Sequence, residues 1–166
     1  METPLFVDTL VIYQYKNLNF KKEYQMKSVF ISYDHDDQEH LHTIKSIRLN
    51  PSNPIEFIDR SLKEPILNDY GHINRRQPGD SASLPVRSEI EKLLTQSSKL
   101  LVLVGRDTHS SEWVKWEIEC FTRLKRNGSI LLMRVPSNSS AGAPLGSRHL
   151  DIQDWSSIKL TEWLGD

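Results

Sequence analysis

Residues 99–128 read KLLVLVGRDTHSSEWVKWEIECFTRLKRNG, and two adjoining elements follow from them. Leu100 through Val104 is an unbroken apolar run between Lys99 and Gly105. A strand apolar on both sides needs cover on both, which predicts a central strand of a parallel sheet. Ser110 to Gly128 then reads as one helix. Ser110 or Ser111 caps its first turn, Glu112 sits near the positive end of the helix dipole, and Lys125, Arg126 and Gly128 close it. On a wheel of about 100° per residue, Trp113, Val114, Trp116, Ile118, Cys120, Phe121 and Leu124 fall on one apolar arc. Glu117 lands inside that arc, among Trp113, Val114, Phe121 and Leu124. A carboxylate in such surroundings is either salt-bridged or raised in pKa by desolvation. Two readings stay open for it: a structural ion pair, or a working acid walled by tryptophans.

Working outward, the other segments build the same architecture. Lys27–Tyr33 (KSVFISY) is a compact β run that ends at Asp34, Asp36 and Asp37. Residues 37–49 predict a helix with Leu41, Ile44, Ile47 and Arg48 at stripe spacing. Asn50 to Pro54 is a turn. Ile55–Ile58 predicts a second short strand, ending at Asp59, Arg60 and Ser61. Residues 62–81, broken by Pro65, Gly71, Pro78 and Gly79, predict a long loop with one helical turn; such loops often carry function. Leu84–Gln96 is a helix with Pro85 in its first turn and Val86, Ile90, Leu93 and Leu94 inward. Ser129–Val135 is another buried strand, and Pro136–Gly146 a mobile Ser/Gly/Pro loop. Leu150–Ile152 is a short fifth strand, and Ser156–Leu164 a closing helix. Residues 1–26 form an N-terminal extension, an arm or an added edge strand, ahead of one domain over residues 27–166. Strands alternating with helices predict a parallel sheet with helices on both faces and a ligand crevice beyond the strands' C-terminal ends.

Composition narrows the function classes. The 166 residues carry 21 Lys and Arg against 22 Asp and Glu, a net charge of −1, so no electrostatic footprint for nucleic acid or a membrane surface is present. Cys120 is the only cysteine, which excludes an intrachain disulfide and suits a reducing, cytoplasmic setting. There is no glycine-rich dinucleotide fingerprint, no phosphate-binding P-loop and no ligand-spaced His/Cys cluster. His40 and His42 diverge on a helix, so no metal is expected. The acidic group Asp34, Asp36 and Asp37 hints at a phospho-receiver, yet the third strand ends in Gly105 where a phospho-acceptor aspartate would stand.

The stretches KSVFISYDHDD (27–37), FIDRSL (57–62) and SSKLLVLVGRDTHSSEWVKWEIE (97–119) resemble a TIR domain, and more closely the TIR-like family of bacterial Thoeris antiphage proteins. The third is the most specific: a strand ending in Gly, a Thr/Ser turn, then S-x-W-V-x-W-E. The resemblance spans roughly residues 27–163. The extension and the punctuated loop before Leu84 depart from it. It implies an α/β fold, a flavodoxin-like or TIR-like three-layer sandwich around a parallel sheet of about five strands in the order 2-1-3-4-5. It implies that Glu117 is catalytic and that Phe30, Ser32, Tyr33, Asp59 and Trp113 bind substrate. It further implies an enzyme that takes NAD as substrate, without a cofactor, and breaks the bond between nicotinamide and ribose. The product would be a cyclic ADP-ribose-type signal that activates a separate effector. Arg60, Arg75 and Arg76 are the candidates for the phosphates. A non-catalytic TIR-type interaction module that self-associates, and a nucleotide-binding flavodoxin-like domain, are the alternatives.

Overall fold

The computed structural model describes residues 26–34, 41, 42, 44, 55–125 and 129–166. The expected N-terminal extension, and most of the helix expected at 37–49, lie outside them. Five parallel strands form one sheet in the order β2-β1-β3-β4-β5: β1 (Ser28–Ser32), β2 (Ile58–Asp59), β3 (Lys99–Val104), β4 (Ser129–Arg134) and β5 (Ile152–Gln153). Among the described residues three α-helices accompany it: α1 (Leu84–Thr95), α2 (Glu112–Leu124) and α3 (Ser157–Gly165). The α/β fold and the strand order are those the sequence implied.

The two-residue period of the strands divides the core into two layers. Val29, Ile31, Leu101, Leu103, Leu131 and Met133 point to one face, where Leu41, Ile44, Leu160 and Leu164 cover them. Phe30, Leu100, Val102, Val104 and Leu132 point to the other, against Val86, Ile90 and Leu94 of α1 and Val114, Ile118 and Phe121 of α2. β3 is buried along its whole length, as its apolar run requires. At the N-terminal end of β3, Lys99 Nζ donates to the carbonyl of Trp163 at 2.5 Å and lies 4.8 Å from that indole's centroid. This pins the end of α3.

Several boundaries differ from the sequence expectation. β2 is Ile58–Asp59 rather than Ile55–Ile58, because Ile55 and Phe57 spend their side chains in the core and only Ile58 and Asp59 register with β1. α2 stops at Leu124, with Lys125 as its C-cap, so Gly128 does not end it. Ser111 is the N-cap of α2 but makes no side-chain cap bond, while Ser110 lies in a 3-10 turn (Thr108–Ser110) and gives its hydroxyl hydrogen to the carbonyl of Asp107. The fifth strand falls at Ile152–Gln153 rather than Leu150–Ile152. Inside the long loop, residues 66–74 fold back on themselves. Leu67 bridges Ile73, Asn68 Oδ1 accepts the N–H groups of Tyr70 and His72 at 3.0 Å each, and Gly71 takes φ +76° at the tip. The helical turn expected there is a 3-10 turn, Ser81–Ser83, capped by Asp80.

Candidate functional site

The chain leaves β1 for one side of the sheet and returns to pair β3 on the other, so the C-terminal ends of β1 and β3 form the switch point. Ser32 closes β1, two residues after Phe30, and therefore shares the face that α2 covers. Beyond β3 the chain turns sharply. Thr108 Oγ1, fully buried, accepts the N–H of Gly105 at 2.8 Å and donates to the carbonyl of Leu103 at 3.3 Å. That turn delivers α2 across the same face, with Val114, Glu117, Ile118 and Phe121 inward.

Glu117 is 8% exposed, and Ser32 Oγ donates a hydrogen bond to its Oε2. No arginine, lysine or histidine forms a salt bridge with Glu117 among the described residues. Among the described residues its partner is a hydroxyl rather than a base. Burial pushes its pKa from the ordinary 4.5 up to about 7, against the opposing pull of the Ser32 hydrogen bond. The group is poised between its two protonation states near neutral pH.

A cavity of about 290 Å³ opens over this carboxyl, with Phe30, Tyr33, Trp113 and Glu117 in its lining together with Asp34 and Asn74. Its size is at the small end of the roughly 300–1,000 Å³ common for small-molecule sites. Trp113 is held in place twice: its Nε1–H donates to the carbonyl of Arg76 at 3.2 Å, and its ring meets Trp116 edge to face at 5.7 Å. The Tyr33 hydroxyl is pushed above its ordinary pKa, first by burial and then by the negative charges of Glu117 and Asp59. It stays protonated and able to donate.

Four of the six expected site residues thus share one cavity: Phe30, Tyr33, Trp113 and Glu117. Ser32 lies beneath it as the partner of Glu117. Asp59 does not line it. Its carboxylate accepts the N–H of Ser61 at 2.9 Å, and Ser61 Oγ in turn accepts the N–H of Ile31 at 3.2 Å, stitching β2 to β1 beside Tyr33. Arg60 is absent from the lining, and its Nε is buried without a hydrogen-bond partner. Arg76 pairs with Asp80 at 3.7 Å. Ile31, Leu62, Asn74, Val86, Ile90 and Ser111 also line it, none of them expected from sequence as a site residue. Ser111 is legible as a helix cap and as the first residue of the S-x-W-V-x-W-E stretch, and Asn74 carries no local signal at all, since a tertiary fold-back brings it to the cavity. No group of three His, Cys, Asp or Glu among the described residues could hold a metal ion, and no helix there is long and apolar enough to cross a membrane.

No curated protein matches the chain. Among solved structures it is similar to the TIR domain of the Toll-related receptor TRR-2 from the lower metazoan Hydra magnipapillata. The two share 13% identity over 84% of this chain and 93% of that one, with a TM-score of 0.49, a likeness that says nothing about the site. Residues 30–140 match the family model described as Thoeris protein ThsB, TIR-like domain. That span runs from the first strand through α2 to the loop after β4 and holds every residue of the cavity, so the chain belongs to the family of Thoeris ThsB TIR-like domains.

Proposed function

We propose that the chain is a cytoplasmic NAD-processing enzyme of antiphage defence, with Glu117 carrying the chemistry. The observation behind this reading is the buried carboxyl of Glu117, without a basic partner among the described residues and held by Ser32 at the floor of an aromatic-walled cavity. In NAD, the bond between the ribose C1′ and the nicotinamide nitrogen breaks with its electron pair going to nicotinamide, which leaves neutral. Positive charge then develops on the ribose. An ionised Glu117 beside that ring stabilises the charge, as carboxylates do in glycoside hydrolysis. Trp113 and Tyr33 offer ring faces for stacking, and Phe30 closes the apolar wall. Asp59 acts at one remove, fixing the turn beside Tyr33.

Either water or a nitrogen of the substrate's own adenine then attacks C1′ and loses a proton. The second route gives a cyclic ADP-ribose-type product, which signals to a separate effector protein. The side chains of Phe30 and Trp113 in the cavity wall favour it by shielding the ribose from water. Mass spectrometry of NAD incubated with the purified chain tests this: nicotinamide and an ADP-ribose-type product are expected, and intact NAD at all protein concentrations overturns it.

A second reading, compatible with the first, is self-association. Leu67, Tyr70 and Ile73 project from the 66–74 fold-back at 54%, 85% and 48% exposure, an apolar cluster beside the cavity. A concentration-dependent oligomer lost in Tyr70→Ser supports it, and a monomer at every concentration overturns it.

A further inference from the structure

The cavity over Glu117 does not end at Trp113. A second cavity of about 550 Å³ shares Tyr33, Leu62 and Trp113 with it and continues along the 62–75 loop. The two differ in charge. The first has two acidic groups in its lining, Asp34 and Glu117, and no basic one. The second is lined by Lys63 and Arg75 against Glu64 alone. Arg75 makes no side-chain hydrogen bond or ion pair among the described residues, whereas the next residue, Arg76, is paired with Asp80. An exposed guanidinium with no carboxylate partner among the described residues, on the wall of a cavity contiguous with the site, has its donors available to an anion.

We infer that this second cavity is the anion subsite of the same active site, with Arg75 binding the diphosphate of a dinucleotide whose cationic nicotinamide end lies over Glu117. The inference rests on the cleavage reading for the identity of the ligand's other end. The sites' polarity fixes the direction: a ligand positive at one end and anionic in its middle matches acidic lining followed by basic lining. Arg75 thereby becomes a specificity-determining residue, selecting diphosphate-bearing substrates over the neutral-tailed nucleoside.

Binding of NAD and of nicotinamide riboside to the Glu117→Gln protein, measured by calorimetry with and without a second change at Arg75, tests this without turnover. Arg75→Ala is expected to weaken NAD about 10–100-fold, the range for a hydrogen bond to a charged group. Nicotinamide riboside, which lacks the diphosphate, is expected to bind unchanged. Arg75→Lys recovers part of the NAD affinity, because it keeps the charge but loses the two-pronged contact. An equal loss for both ligands assigns Arg75 to loop structure and overturns the inference, as does unchanged or undetectable NAD binding. If the wild-type chain leaves NAD intact while NAD binding still depends on Arg75, the cleavage reading falls and the anion subsite stands.

Discussion

Ser32 and Glu117, separated by 85 positions in the chain, meet through one buried hydrogen bond from the serine hydroxyl to the carboxylate. That bond favours the charged form of Glu117 and opposes the burial that pushes its pKa up to about 7. Removing it lets burial act alone. Ser32→Ala is therefore expected to move the alkaline rise of the pH–rate profile upward by about one unit, since a unit corresponds to about 1.4 kcal/mol and hydrogen bonds to charged groups lie near that value. Nicotinamide release falls several-fold at pH 7 and approaches the wild-type rate at pH 9. An unshifted profile separates the serine from the ionisation of Glu117.

The same carboxyl leaves a mark on stability. The unfolded chain loses the Glu117 proton near its ordinary pKa of 4.5, while the folded chain keeps it to about 7. Between those values the folded state holds the extra proton, so stability falls as pH rises and levels off above the folded value. The total is about 3 kcal/mol for a shift of this size. Glu117→Gln lacks this titration. Denaturant unfolding of both proteins is expected to show the variant gaining about 2–3 kcal/mol on the wild type between pH 5 and pH 8. Parallel pH dependences would remove the buried-acid account.

Trp113 is the wall that joins the helix of Glu117 to the long loop, through its bond to the carbonyl of Arg76. Trp113→Phe keeps an aromatic face and deletes the donor. The expected cost in stability is about 1 kcal/mol, the net worth of one hydrogen bond. The KM for NAD rises more than kcat falls, because the loop residues, not the carboxyl, lose their anchor. Steady-state kinetics read the split; a pure loss of kcat would contradict it.

Lys99 supplies the contrasting case, at the N-terminal end of the central strand, away from the cavity. Its ammonium holds the carbonyl and the ring of Trp163. Lys99→Ala is expected to cost about 1–3 kcal/mol of unfolding free energy from the lost bond, cation–π contact and stem packing. Activity per folded molecule stays the same. A changed KM would mean that the two ends of the strands are coupled.

Much of this architecture was legible from residue type alone. The apolar run Leu100–Val104 can be satisfied only by cover on both faces, and β3 is buried throughout. Glu117 stood out because one acidic residue interrupted an otherwise apolar arc. The edge strands were less legible: Ile55 and Phe57 look like strand residues because they are apolar, yet their burial comes from side-chain packing while the ladder uses Ile58 and Asp59. Asn74 and Arg75 were harder still. Their places depend on the fold-back of residues 66–74, a product of Asn68 side-chain bonds and one positive-φ glycine that no periodicity announces.

The central claim is that the carboxyl of Glu117 breaks the nicotinamide–ribose bond. Its most direct test is nicotinamide release from saturating NAD by the wild-type chain and by Glu117→Gln, with NAD binding to both confirmed. The account predicts that the variant still binds NAD and that its release rate falls by at least about 100-fold, the scale for removing a group that stabilises transition-state charge. Equal release by the two proteins would contradict it.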